Sequence, residues 1–560
     1  MVFRAREKVT AASSLNARRR FDLSHVLERE WMLVTLLSLW GLFVYYHHQG
    51  IALRGDEAMY ASIARRILST GDWLRLVYEG DPYWNKPPLF FWQIGLSMLL
   101  WGPTEFAVRF PTATFGVATM LLVYYCGKTL FNRRVGLVAA LITTTTTASV
   151  FYAHKARFDI PLGFWMTLAV FAFYLTYRGG GRRLGYLSLA FLSMAVAAML
   201  KGPVAFILPG VVALAFLLVT RRSKSLAEIP LLIAGLVGFL LITGTYYWSL
   251  GEGFNRHFFL QENLARLPHG SWYGGKKPLF YVYALCAEFF PWSLFIPSVL
   301  LSLWIGRSSH ATEEDLLIRL WGLGYFLLLS LPSAKSERFL VYLVPPFALL
   351  LARYWDHLLS GSGGSKSVED RFLRITAILL VIVTFAIFLT GPSVLERRFR
   401  IPVDFWSLPF ALLVGAGCVA VLYTALRSRP QAIFTSVLAV SMAITFGHVQ
   451  LFYPAMDRYD SAIPISRQLR AIVGHSPLVL NPGGPGWADI VYYLDRPAPV
   501  PHLTTIDEVA ATFRSDGQVF ALLAKQSYDE LVRRGNLPLT RVADYYYRGS
   551  TFALVSNRSP

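Results

Sequence analysis

Two adjacent acids, Asp56 and Glu57, follow the first long apolar segment, where a membrane chain has just left the bilayer. Uncompensated carboxylates are costly at that depth and are kept where something cationic or reactive must be held. Further along come Lys86 in YWNKPPLFFW, Arg109 in FAVRFP, Arg157 and Asp159 in HKARFDIP, Lys201 in LKG, and Lys335, Glu337 and Arg338 in SAKSERF. A carboxylate near an acceptor hydroxyl can take its proton, and a cation can steady a departing phosphate. Acids and cations gathered in one place would supply both halves of a sugar transfer. Each residue also has a structural role open to it. A single Lys or Arg at a span end can snorkel to the headgroups. Asp56 can cap the amphipathic helix after it, and Asp159 can cap a segment with Pro161 in its first turn. A cap leaves Glu57 without a purpose; for Asp159, capping and chemistry are equally open.

Whether these residues meet depends on the elements that carry them. With 54% hydrophobic and 16% charged residues in 560, the chain is too apolar for a soluble globular protein and reads as an α-helical polytopic membrane protein. Its 15 Trp, 28 Tyr and 40 Phe suit two long bilayer interfaces. A formal net charge of +19 could suit a nucleic-acid binder, but the Lys and Arg come in short clusters between apolar runs. The positive-inside rule accounts for them, and no nucleic-acid partner is expected. Cys126, Cys286 and Cys418 all lie inside apolar runs, which indicates neither a disulfide framework nor a zinc site. The basic start, residues 1–30, reads as a cytoplasmic tail rather than a cleavable signal.

Apolar runs between residues 31 and 453 give about thirteen spans, with a first outer loop at 54–110 and a second at 249–278. The run 87–101 would be only about 22 Å long as a helix, short for a bilayer core. If it does not cross, the clusters Arg133–Arg134, Arg182–Arg183 and Arg221–Arg222 with Lys224 all fall inside. It is therefore expected to lie on the outer face, beside an amphipathic helix that starts near Asp56. That parity puts Asp56, Lys86, Arg109, Asp159, Lys201, Lys335 and Arg338 at one membrane face. Several cations in short outer loops imply an anionic ligand, a lipid-linked phosphate being the natural candidate. The segment 361–367, GSGGSKS, reads as a flexible cytoplasmic connector.

From 454 to 560 the composition is that of a soluble α/β domain, on the outer face by the same parity. Helices are expected at 462–473 and 489–494, a strand at 478–481, a strand then a helix across 519–534, and two strands at 542–547 and 551–555. The loop 249–278 is long enough to be functional. Its His257 and His269 lack a helix-spaced acid and read as surface histidines.

Together these residues resemble the GT-C superfamily of membrane glycosyltransferases that use polyprenyl-phosphate sugars, and within it the lipid A aminoarabinose transferases, relatives of the protein O-mannosyltransferases. The motifs are the acid pair Asp56–Glu57, Lys86 with Pro87 and Pro88, Arg109, Asp159, Lys201, the run from Lys277 to Trp292 and the run from Ser333 to Pro346. The resemblance implies a monomeric transferase of the bacterial inner membrane with its active site facing the periplasm. The donor would be a sugar on undecaprenyl phosphate, the acceptor lipid A or another envelope molecule, with membrane lipids around both. Asp56, then Asp159 and Glu57, are the candidate catalytic acids. Lys86 and Arg109 would face the donor phosphate, with Lys201, Lys335 and Arg338 as further candidates. The chain departs from those enzymes at Asn85 and at Glu262–Asn263, where they commonly carry an acid and an acid–His pair. A divalent metal is not supported by these motifs.

Overall fold

The computed structural model describes residues 30–220, 229–265, 276–277, 279–305, 312–360, 366–399, 407–427, 429–459, 461–480, 487–496, 499–503, 505–535, 539–548 and 550–558. The expected tail before Glu30, the cluster Arg221, Arg222 and Lys224, most of the connector 361–367, and His269 lie outside the described residues.

Among the described residues, eight helices are long and apolar enough to cross a membrane, or ten if each of two bent pairs is one span. Glu30–Tyr46, Leu89–Trp101 and Val204–Thr220 are shorter apolar helices. The chain is a multi-pass membrane protein, and each expected span contains a helix or a helix pair. The two bends have sequence causes. In the pair Arg133–Thr144 and Thr147–Ala153, bent by 59°, Thr143, Thr145 and Thr146 donate back to carbonyls one turn earlier. Such bonds compete with the helix ladder. In the pair Phe280–Glu288 and Trp292–Ser302, bent by 120°, Pro291 lacks the N–H that would continue the ladder. The expected single span 279–305 is thus sharply broken. The bends clasp each other: the Trp292 indole donates to Thr145 Oγ1 at 2.8 Å, and Thr147 N–H to the Phe290 carbonyl at 3.2 Å.

Between the first two spans, helices Asp56–Thr70 and Leu89–Trp101 pack into a separate apolar cluster. Tyr60, Ile63, Ile67, Phe90, Phe91 and Ile94 form it with Val108 of the next span. Tyr492, from the far end of the chain, joins the same cluster. That end folds as a four-stranded sheet in the order Leu478–Leu480, Phe520–Ala524, Ser550–Ser556, Thr540–Tyr547; the first pair is parallel and the others antiparallel. Alternate residues point to opposite faces. Leu480, Leu522 and Leu554 meet helices Ile463–Val473 and Trp487–Leu494 on one face, and Val479, Ala521 and Val555 meet helices Ile506–Phe513 and Lys525–Arg534 on the other. Helix Ile506–Phe513 is absent from the expected pattern, although Thr505 and Glu508 form a capping box at its start.

Candidate active site

Gly55 precedes helix Asp56–Thr70 with φ 54° and ψ −120°, a conformation in which a side chain would be strained. The turn makes Asp56 the first helical residue. No side chain caps this helix, so the capping role for Asp56 does not hold. Its carboxylate, 42% exposed, accepts from Arg157 Nη2 at 2.9 Å and lies 3.9 Å from Arg338 Nη1.

Glu57 points the other way. Arg109 grips it with Nε at 2.8 Å and Nη2 at 3.1 Å, and the Ala156 N–H donates to it at 2.7 Å. The rest of the Arg109 fork serves backbone carbonyls: Nη1 those of Gln49 (2.8 Å) and Ile51 (2.6 Å), Nη2 that of Ala52 (3.0 Å). All five guanidinium N–H groups are then engaged, and the residue is 1% exposed. Two expectations are corrected here. Arg109 has no donor left for a phosphate, and Glu57 is held in a buried pair rather than presented as a catalytic acid. Burial alone would push the Glu57 carboxyl up, but the Arg109 guanidinium and the Ala156 N–H together hold it below the usual range.

Asp159 is fully buried, and its role as a cap also fails, since helix Asp159–Arg178 has no side-chain cap. Its Oδ1 instead accepts from Lys201 Nζ at 2.7 Å and from the Tyr342 hydroxyl at 2.6 Å. Lys201 is therefore paired behind the cavity wall, beneath the rings of Phe158 and Phe339. Lys335 is 4% exposed and donates to the Pro332 carbonyl at 2.7 Å, a loop staple rather than a phosphate ligand. Lys86 donates to its neighbour's carbonyl at 2.7 Å and to Glu262 at 3.1 Å. His257 meets Asn85 at 3.2 Å on the same rim. Among the described residues no group of three or more His, Cys, Asp or Glu is placed to hold a metal ion.

Of the expected residues, Asp56, Lys86 and Arg338 line one cavity of about 610 Å³. Met59, Tyr60, Tyr83, Asn85, Phe151, Tyr152, Lys155, Arg157, Glu262, Ser336 and Glu337 complete its wall. Arg157 stood among the charges expected at this face; Lys155 could have been read beside it in HKARFD, which places two cations in a short outer loop against the positive-inside rule. Tyr60 and Tyr83 carry no such signal.

The C-terminal domain holds the segment that presents Asp56. The Ala52 N–H donates to Asp457 at 2.8 Å, and the Leu53 N–H to the Tyr493 hydroxyl at 2.7 Å, which itself donates to Glu105 at 3.0 Å. Arg54 reaches the Met456 carbonyl at 2.6 Å. The Gly55 N–H faces the Asp489 carboxylate, which Tyr547 and Arg548 anchor at 2.7 and 2.8 Å.

The family described as dolichyl-phosphate-mannose-protein mannosyltransferase matches residues 85–248. An undecaprenyl phosphate-alpha-4-amino-4-deoxy-L-arabinose arabinosyl transferase of Edwardsiella ictaluri is 28% identical over 346 residues, 59% of this chain and 62% of that protein. One from Pseudomonas fluorescens is 29% identical over 339 residues, 58% and 60% of the two chains. The match thus spans somewhat less than two thirds of these relatives. The crystal structure of ArnT from Cupriavidus metallidurans bound to undecaprenyl phosphate superposes with a TM-score of 0.75 at 19% identity, covering 96% of this chain and 99% of that one. Its apo state gives 0.74 at 20% identity, covering 94% and 97%. The chain has the fold of ArnT, and its resemblance to the lipid A aminoarabinose transferases, relatives of the protein O-mannosyltransferases, holds in sequence and in structure.

Proposed function

We propose that this protein transfers a sugar from undecaprenyl phosphate to lipid A or another envelope acceptor at the periplasmic face of the inner membrane. The observation that carries the proposal is Asp56 standing in a cavity walled by Lys86, Lys155, Arg157 and Arg338. In the reaction, an acceptor oxygen bonds to the anomeric carbon as that carbon's bond to the donor phosphate breaks, the electron pair leaving on phosphate oxygen. Lys86 and Arg338 steady that charge, and their water-poor surroundings strengthen the interaction. Asp56 faces the positive charge that develops on the sugar. If the acceptor is a hydroxyl, Asp56 also takes its proton; a phosphate acceptor is already anionic and needs no base. Asp159 and Lys201 act from behind, fixing Tyr342 and packing against the Phe158 ring.

The relatives are named for an undecaprenyl-phosphate sugar donor, and the resemblance to the lipid A aminoarabinose transferases favours lipid A as acceptor, whereas the family match over residues 85–248 favours a protein hydroxyl as the second reading. Mass spectrometry of lipid A from cells with and without the gene separates them. One added sugar, dependent on the gene, is the expected result; unchanged lipid A with a glycosylated envelope protein would select the second reading. A transporter would carry polar, broken helices at the midplane rather than charges gathered at one face. Asp56 and Lys86 instead share one wall. The proposed topology puts the loops at Arg133, Arg182 and Arg222 in the cytoplasm. Cysteines placed there should escape a membrane-impermeant label, and labelling of any of them would refute this orientation.

A further inference from the structure

Four cations line the cavity, and three are already answered by carboxylates: Lys86 by Glu262, and Arg157 and Arg338 by Asp56. Lys155 is the fourth. It sits half-buried in the loop between helices Thr147–Ala153 and Asp159–Arg178, with Nζ 3.8 Å from the centre of the Phe151 ring. Among the described residues its ammonium makes no hydrogen bond or ion pair, and only its backbone N–H donates, to the Tyr152 carbonyl at 3.3 Å. The acid that acts most on it, Glu57, is already held by Arg109 and by the Ala156 N–H. Burial brings the Lys155 ammonium down to about 8; Arg157, Arg54 and Arg109 repel it, and the Glu288 carboxyl attracts it from a distance without bonding to it. A cation that has lost water without gaining a bonded anion is costly, and an aromatic face offsets only part of that. An anionic ligand in the cavity supplies what is lacking.

Lys155 is also set apart from Lys86. Lys86 and Lys201 share the Phe158 ring, at 5.9 and 5.0 Å, whereas Lys155 sits over Phe151, and Lys86 is not among the charges that act most on it. We propose that Lys155 is a second phosphate-binding position in this cavity, separate from Lys86 and taken by the phosphate of a lipid substrate. The identity of that lipid rests on the glycosyl-transfer reading. It is the acceptor's phosphate if the donor occupies Lys86, and the donor's phosphate if the order is reversed.

The test is acetylation of the purified full-length protein by a trace of acetic anhydride at pH 8, with modification of Lys155 measured by peptide mass spectrometry. It is run without lipid, with undecaprenyl phosphate, with diphosphoryl lipid A, and with dephosphorylated lipid A. Without lipid, Lys155 should react readily. One phosphorylated lipid should slow it by about tenfold, the scale of a charge-assisted contact, and the dephosphorylated lipid should not. Protection by lipid A assigns Lys155 to the acceptor, and protection by undecaprenyl phosphate assigns it to the donor. An inert Lys155, equal reaction in all four samples, or equal protection by the dephosphorylated lipid overturns the proposal. In transfer assays, Lys155→Gln should raise KM for the protecting lipid about tenfold while leaving kcat and the other KM near wild type, and Lys155→Arg should restore it. Unchanged KM values for both lipids would equally overturn it. A wild-type protein that transfers no sugar would refute the functional reading alone, because the protection measurement does not depend on turnover.

Discussion

Asp56 and Glu57 open the same helix with the same charge, yet the Glu57 side chain is 4% exposed and locked to Arg109, while that of Asp56 is 42% exposed and faces a cavity. Successive helical residues point about 100° apart. One turn of backbone at Gly55 therefore sends one acid into the protein and the other into the site. The buried pair resembles a rivet: it ties the segment between the first two spans to the second of them and to the Ala156 loop. The exposed group has partners it can exchange for a ligand. Chemistry belongs to the acid whose neighbours can change, and folding to the acid whose neighbours cannot.

The comparison breaks most sharply at Asp56. Asp56→Asn in purified protein should lower turnover by roughly 10²–10⁴-fold while moving stability by less than about 1 kcal/mol, since the ion pair it loses is half exposed. Near wild-type turnover would remove Asp56 from catalysis. Arg109→Ala should do the reverse, leaving Glu57 buried and unpaired at a cost of about 3–5 kcal/mol in unfolding measurements. An Arg109→Ala protein that is fully stable but weak in donor binding would restore the phosphate role now denied to it. Lys86→Ala should weaken transfer by about tenfold through KM for the donor, and an unchanged KM would place the donor phosphate elsewhere.

The smallest effect lies in acid stability. Because the folded-state pKa of Glu57 is depressed, its contribution is fully present above the unfolded pKa of about 4.5 and is lost as pH falls through the folded value. Thermal unfolding followed below about pH 4.5 should fall less steeply in Glu57→Gln than in wild type, although that variant starts from a lower stability. Parallel slopes would mean that Glu57 does not carry this share of the acid sensitivity.

Much of this was legible beforehand. Apolar runs and the distribution of Arg located the helices, and the gathering of Asp56, Lys86 and Arg338 follows from their positions at span ends. The division of labour between neighbours was not legible. Glu57 turns inward because Arg109, 52 residues later, offers a fork that fits it, and nothing local encodes that meeting. Lys335 and Lys201 look like free cations in sequence, but one folds back on its own loop and the other finds Asp159 and Tyr342. The break at Pro291 lies inside a run long enough to cross in one piece, so hydropathy alone reads through it. The capping box of Thr505 and Glu508 was within reach, a plain signal for the helix Ile506–Phe513.

The docking of the C-terminal domain on residues 52–55 also sets an order of events in biosynthesis. Ala52, Leu53 and Arg54 find their partners 405, 440 and 402 positions later in the chain. While the protein is being made, the backbone N–H groups of Ala52 and Leu53 wait on residues that the ribosome adds near the end. The spans can insert and pack before then, but the segment that presents Asp56 acquires its supports only when the terminal domain has emerged and folded against it. A nascent or prematurely ended chain would thus already occupy the membrane while its cavity rim remained unfinished, and the complete cavity is a property of the finished polypeptide.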